Sequence, residues 1–182
     1  MVLIVGDDVG YLDLLELRAD GRAPHLAALA ERGFEFTSCV ANPVCSPTRR
    51  ALYFGDWRTR QSGDVDAPPG PLTPPQALVS LAELVDWPSA FFGKWHVGSA
   101  AQSWQLAPQS HGFGLWRAGM RHGNEDYQDW LRIEGGASFR SADYEPAAVH
   151  QRWLEWWTSA RGQRLAVYAP QLAHAPYHRP PP

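Results

Sequence analysis

The chain has little of what marks a nucleic-acid binder, a membrane protein or a disulfide-stapled module. Two cysteines in 182 residues cannot build a disulfide framework. Cys39 and Cys45 stand six residues apart, a spacing that would need unusual geometry to pair, and Cys39 reads as a small buried hydrophobe. Sixteen basic against nineteen acidic side chains give a net charge of -3 with no basic run, so there is no electrostatic footprint for nucleic acid. No apolar run approaches the roughly 20 residues of a bilayer-spanning helix. Met1 leads directly into Val2-Leu3-Ile4-Val5, with no basic n-region and no cleavage site. No secretory signal is therefore expected, which makes the cytoplasm the default compartment and leaves a periplasmic or secreted location to a longer form. Charged residues at 19% against 45% hydrophobic ones exclude a disordered chain.

What is present points to an α/β layer fold in one domain over residues 1–182. Val2 to Val5 is a continuous β-branched run, expected as a central strand buried on both faces of a parallel sheet. Pro24 through Arg32 predicts a helix stopped by Gly33, and the alternation from Phe34 to Val40 predicts a second strand. A helix is expected from Pro47 to about Gly55. Residues 62–75, rich in Gly, Pro and Asp, read as a surface loop. Gln76 to Val85 reads as a short amphipathic helix, and Ser89 to Phe92 as a strand. Residues 98–124 show no regular period. Glu125 to Ile133 and Pro146 to Ala160 read as helices, the second packing through Trp153, Trp156 and Trp157. Arg164 to Tyr168 closes the series as a strand.

Chemistry concentrates at the ends of these elements. Asp7 and Asp8 follow the first strand, where open α/β sheets bind ligands. Alone, the pair reads either as a helix cap with a solvated acid or as oxygen ligands for a hard cation. Cys45 precedes a helix whose N–H groups favour an anion, and Arg49 lies one turn along with a fork of donors. Lys94 and His96 leave a strand end with side chains that can face one side. His174 and His178 lie in the proline-rich tail. His25, His111, His122 and His150 match no metal-ligand spacing and read as structural or surface groups.

Several segments, in order, carry a resemblance: Val5-Gly6-Asp7-Asp8-Val9-Gly10-Tyr11, Asn42-Pro43-Val44-Cys45-Ser46-Pro47-Thr48-Arg49-Arg50-Ala51-Leu52, Gly93-Lys94-Trp95-His96-Val97-Gly98 and His174-Ala175-Pro176. Together they resemble the N-terminal part of the sulfatase catalytic domain, within the alkaline-phosphatase-like superfamily. His111-Gly112-Phe113-Gly114 is similar to a structural landmark of that family. The resemblance implies a mostly parallel central sheet flanked by helices, incomplete at its C-terminal side. It implies that a formylglycine-generating enzyme oxidises Cys45 in C-x-P-x-R to formylglycine, the catalytic aldehyde. It implies that Asp7, Asp8 and the Cys45-derived oxygen bind calcium, or magnesium in its place. Arg49, Lys94, His96 and His174 would then act on a sulfate ester, either a small molecule or a sulfated glycan. The family completes its metal site with a later Asp-Asn pair and a further lysine, which have no counterpart here. Weak metal binding and slow or absent turnover are expected of the chain alone. Two other readings stay open: a phosphonate or phosphate monoester hydrolase of the same superfamily, and a non-catalytic remnant that binds anionic ligands.

Overall fold

The computed structural model describes residues 1–57, 79–97, 104–159 and 161–181. The loop expected over 62–75 and the first part of the helix expected from Gln76 lie outside the described residues. Six strands form one sheet: β1 (Val2–Ile4), β2 (Ser89–Lys94), β3 (Leu115–Met120), β4 (Trp130–Glu134), β5 (Ala137–Ser141) and β6 (Leu165–Ala169), in the spatial order β1-β6-β2-β3-β4-β5. The first four in that order run parallel, and β4 and β5 add an antiparallel hairpin. Gly135 and Gly136, with φ of +60° and +83°, close the hairpin in the left-handed conformation that a tight two-residue turn requires.

β2 lies inside the sheet with every residue buried. Its alternating side chains feed two cores. Phe91 packs with Tyr53, Trp95 and Phe113 on one face, while Phe92 packs with Trp130, Val149 and Trp156 on the other. The helices α3 (Cys45–Phe54) and α5 (Glu145–Ser159) contribute to these opposite faces. Trp153, Trp156 and Trp157 pack from α5 as their spacing predicts. The short helix α4 (Leu81–Val85) starts from a capping box, in which Ser80 and Glu83 exchange backbone-to-side-chain hydrogen bonds. Two 3-10 turns at Trp104–Leu106 and Gln109–His111 precede β3.

The structure departs from expectation at several elements. β1 is an edge strand with Ile4 63% exposed, because an apolar β-branched run specifies a strand but not its rank in the sheet. Residues 34–40 form no strand and are all exposed, Cys39 included, since their alternation finds no partner to pair with. Residues 125–133 are not helical. They turn and enter β4, where pairing with β5 overrides the helix preference of Glu, Gln and Leu. α3 begins at Cys45 rather than Pro47, and proline is accommodated in its first turn because N–H groups there lack intrahelical partners. Helix α1 (Tyr11–Ala19) has no counterpart in the sequence pattern, for its leucines at 12, 14, 15 and 17 circle the axis. Neither α1 nor α2 (Pro24–Arg32) buries a residue, so Leu12, Leu26, Leu29, Phe34, Phe36 and Val40 face solvent. No described helix is long and apolar enough to cross a membrane.

Candidate active site

The carboxyl ends of β1, β6 and β2 lie side by side, and the loops leaving them hold Asp7, His174 and His96. Val5 donates its N–H to the Tyr168 carbonyl at 2.9 Å, and Asp7 donates its own to Leu172 at 3.0 Å, which ties the first loop to the last. Gly93 is required where β2 turns out of the sheet. Its φ is +90°, and a Cβ there would stand 2.2 Å from the Ala169 carbonyl oxygen.

Asp7 is buried with two cations. Lys94 Nζ lies 2.5 Å from Asp7 Oδ2, and Arg49 Nη2 lies 3.3 Å from Oδ1. Arg49 also donates from Nη1 to the Lys94 carbonyl and to the Tyr53 hydroxyl, one turn along its own helix. All four side chains are essentially removed from water. Burial opposes ionisation of Asp7, but the charges of Arg49 and Lys94 outweigh it and hold its carboxyl below the usual range.

Cys45 opens α3, and its Sγ lies 3.1 Å from His96 Nδ1. Thr48 anchors the approach by donating its hydroxyl to the carbonyls of Val44 and Asn42. His96 adopts φ +56°, an unusual conformation away from glycine, fixed by its N–H donating to the Arg121 carbonyl at 2.8 Å. Burial, together with the charges of Lys94 and Arg49, lowers the His96 pKa from 6.5 to about 3. Its imidazole is therefore neutral across the physiological range.

His174 Nε2 lies 3.6 Å from Asp8 Oδ2, on the more exposed side of the cluster. Asp7, Cys45, Arg49, Lys94 and His96 thus converge, with Asp8 and His174 at the rim. His178 instead contacts Tyr144 and packs on Tyr127.

Three polar residues outside the motifs support the last loop. Gln171 is fully buried. It donates from Nε2 to the carbonyls of Asn124 and Ala175, and its Oε1 accepts the Asn124 N–H at 2.6 Å. Tyr127 donates its hydroxyl to the His174 carbonyl at 2.6 Å. Glu145, the first residue of α5, accepts the Gln171 N–H at 3.2 Å. Burial, reinforced by the charge of Asp7, raises the Glu145 pKa to about 8.

A hard divalent cation takes several oxygen ligands. Both Asp7 oxygens are committed to Arg49 and Lys94, Asp8 leans to His174, and Cys45 faces His96. Among the described residues no three His, Cys, Asp or Glu side chains are grouped to hold a metal ion. The described donor set does not by itself fit calcium or magnesium.

Comparison with known proteins bears on the fold and the family. A family model described as Sulfatase matches residues 1–182. The chain is 31% identical over 130 residues to N-acetylgalactosamine-6-sulfatase of Sus scrofa, covering 64% of this chain and 24% of that protein. It is 22% identical over 201 residues to the arylsulfatase of Klebsiella aerogenes, covering 97% and 42%. The chain thus spans less than half the length of these relatives. Among solved structures, Ps i-CgsB in complex with k-i-k-neocarrahexaose aligns with a TM-score of 0.71 at 22% identity, over 96% of this chain and 45% of that one. BT4656 in complex with its substrate D-glucosamine-2-N,6-O-disulfate aligns with the same TM-score of 0.71 at 19% identity, over 97% and 34%. These likenesses show the fold, a mixed six-stranded sheet flanked by helices, and the full-length family match shows the lineage: the chain belongs to the sulfatase family.

Proposed function

We propose that this chain carries the nucleophile and the anion-binding side chains of a sulfuric ester hydrolase. Its substrate would be a sulfated glycan or a smaller sulfate ester, and Cys45 would first be converted to formylglycine by a formylglycine-generating enzyme. The observation that carries the reading is Cys45 Sγ at 3.1 Å from a neutral His96, beside two buried cations. The ligands of the two structural neighbours support a sulfated sugar as the substrate class.

Once matured, position 45 supplies a hydrated aldehyde whose hydroxyl attacks the ester sulfur. His96 Nδ1, already in contact with side chain 45 and uncharged, is placed to hydrogen-bond that group and hold it in line with the sulfur. Negative charge building on the sulfate oxygens meets Arg49, Lys94 and the first turn of α3. Asp7 fixes both cations in advance, so little reorganisation accompanies the reaction. His174, at the exposed rim, is placed to protonate the departing alcohol. A divalent cation would need oxygen ligands beyond Asp7 and Asp8.

Two measurements on protein co-expressed with a formylglycine-generating enzyme test this. Intact-mass analysis should show thiol-to-aldehyde conversion at Cys45, and hydrolysis of an aryl sulfate should outpace that of an aryl phosphonate. A persistent thiol would favour the binding remnant, and the reverse rate order a phosphonate hydrolase.

A further inference from the structure

A small recess lies next to the loop that carries His96. It has a volume of about 100 Å3, and its walls include Trp104, Arg121, His122, Asn124 and Leu131. The His122 ring lies 6.3 Å from that of His96. The recess is rigidly joined to the catalytic loop: Trp95 donates its N–H to Met120 at 3.0 Å, and His96 donates to Arg121 at 2.8 Å. Asn124 is fixed by Gln171.

Arg121 is the unusual member. Its guanidinium lies over the Trp104 ring, 5.9 Å from the centroid. Among the described residues no carboxylate pairs with it, and its Nε is buried without a hydrogen-bond partner. Arg117 and Arg132, by contrast, meet acids: Arg117 meets Glu134, and Arg132 meets Glu134 and Asp143. A partly buried guanidinium with no counterion retains its full capacity for an oxyanion and can engage one with paired N–H donors. His122 Nδ1 lies 2.9 Å from the Gly123 carbonyl, which can only accept, so Nδ1 carries the proton there. In the neutral ring Nε2 is then an acceptor for a hydroxyl. A tryptophan face, a free guanidinium and amide and imidazole groups together suit a sugar with an acidic substituent.

We propose that this recess is a subsite for the anionic group of a sugar bearing the sulfate ester or adjoining it. Arg121 binds that second oxyanion, a sulfate or carboxylate, and Trp104 packs on the sugar ring. The subsite rests on the sulfate-ester reading of the neighbouring site and adds a requirement to it: two anionic groups on the preferred ligand.

Calorimetric titration of the unmatured protein, which retains the Cys45 thiol, tests it with three probes. These are inorganic sulfate, N-acetyl-D-glucosamine 6-sulfate and D-glucosamine-2-N,6-O-disulfate. The disulfated sugar should bind about tenfold tighter than the monosulfated one, and Arg121→Gln should abolish that preference while leaving the other two affinities unchanged. Arg121→Lys, which keeps the charge but loses the fork, should retain part of it and serves if the glutamine variant does not fold. Trp104→Ala should weaken both sugars but not sulfate. A wild type without preference between the sugars, or an Arg121 variant that weakens all three probes alike, overturns the subsite and leaves the sulfate-ester reading standing. A wild type that binds none of the three overturns both.

Discussion

Lys94 Nζ contacts Asp7 Oδ2 at 2.5 Å although 87 residues separate the two in the chain, and both side chains are buried. This pair joins the ends of β2 and β1 across the intervening β6. Removing Asp7 strands two buried cations, whereas removing Lys94 leaves Asp7 paired with Arg49. Asp7→Asn should therefore destabilise the fold by about 3–5 kcal/mol, and Lys94→Met by less. The double variant should cost clearly less than the sum, read from urea midpoints. A cost for Asp7→Asn under about 1 kcal/mol would place the pair among weak surface bridges.

His96 should make the fold sensitive to acid. Its folded pKa of about 3 lies below the unfolded value of 6.5. The unfolded chain thus binds a proton that the folded chain resists, so this contribution is present above pH 6.5 and is lost as pH falls towards about 3. His96→Gln should flatten that part of the stability profile. In matured protein it should also lower kcat by about tenfold through loss of the hydrogen bond that orients side chain 45.

Glu145 acts with the opposite sign. Its folded pKa of about 8 lies above the ordinary value of 4.5, so the folded chain holds the proton more tightly. Its contribution is complete below pH 4.5 and declines as pH rises to about 8. Glu145→Gln mimics the neutral form and should remove the decline. Urea titrations at several pH values should show the variant gaining on the wild type by on the order of 1 kcal/mol or more at the alkaline end.

Gln171→Ala should expose the support of the last loop. It removes three part-buried hydrogen bonds, to the Asn124 N–H and to the carbonyls of Asn124 and Ala175, at a total cost of about 1–3 kcal/mol. Hydrogen exchange should quicken at Asn124 and in residues 171–176 before it does in β2. A uniform rise across the chain would mean that Gln171 supports general stability and not this loop.

Calcium titration should give an affinity no tighter than about 10⁻³ M, because two cations already neutralise Asp7. Lys94→Met should strengthen it by releasing one carboxylate oxygen. Micromolar binding to the unaltered chain would show that further ligands are present.

Most of the central cluster could be read from the sequence, because each member sits in a short contiguous motif at the end of an element. Asp7 follows an apolar run, Cys45 opens a helix, and Lys94 and His96 leave a strand. The support around them could not be read in this way. Gln171 finds Asn124 across 47 residues and Glu145 across 26, and neither partner stands in a pattern that announces the pairing. His122 likewise gains its meaning only from lying beside His96 in space. The same distinction separates the elements. Helix α5 announces itself by its tryptophan spacing, whereas β4 is a strand because β3 and β5 pair with it on either side, and the alternation over 34–40 fails for want of a neighbour.

The two borders of the sheet differ in a way that bears on how such a molecule can grow. One border ends in a hairpin that reverses direction and carries the charged pair Arg140–Asp129 at its surface. The other, β1, has no strand beyond it among the described residues and runs parallel to its neighbour. A further strand laid beside β1 in the same direction would bring its last residues directly to the acidic pair. Enlargement on that flank would add ligands to the reaction centre without disturbing any side chain already assembled there.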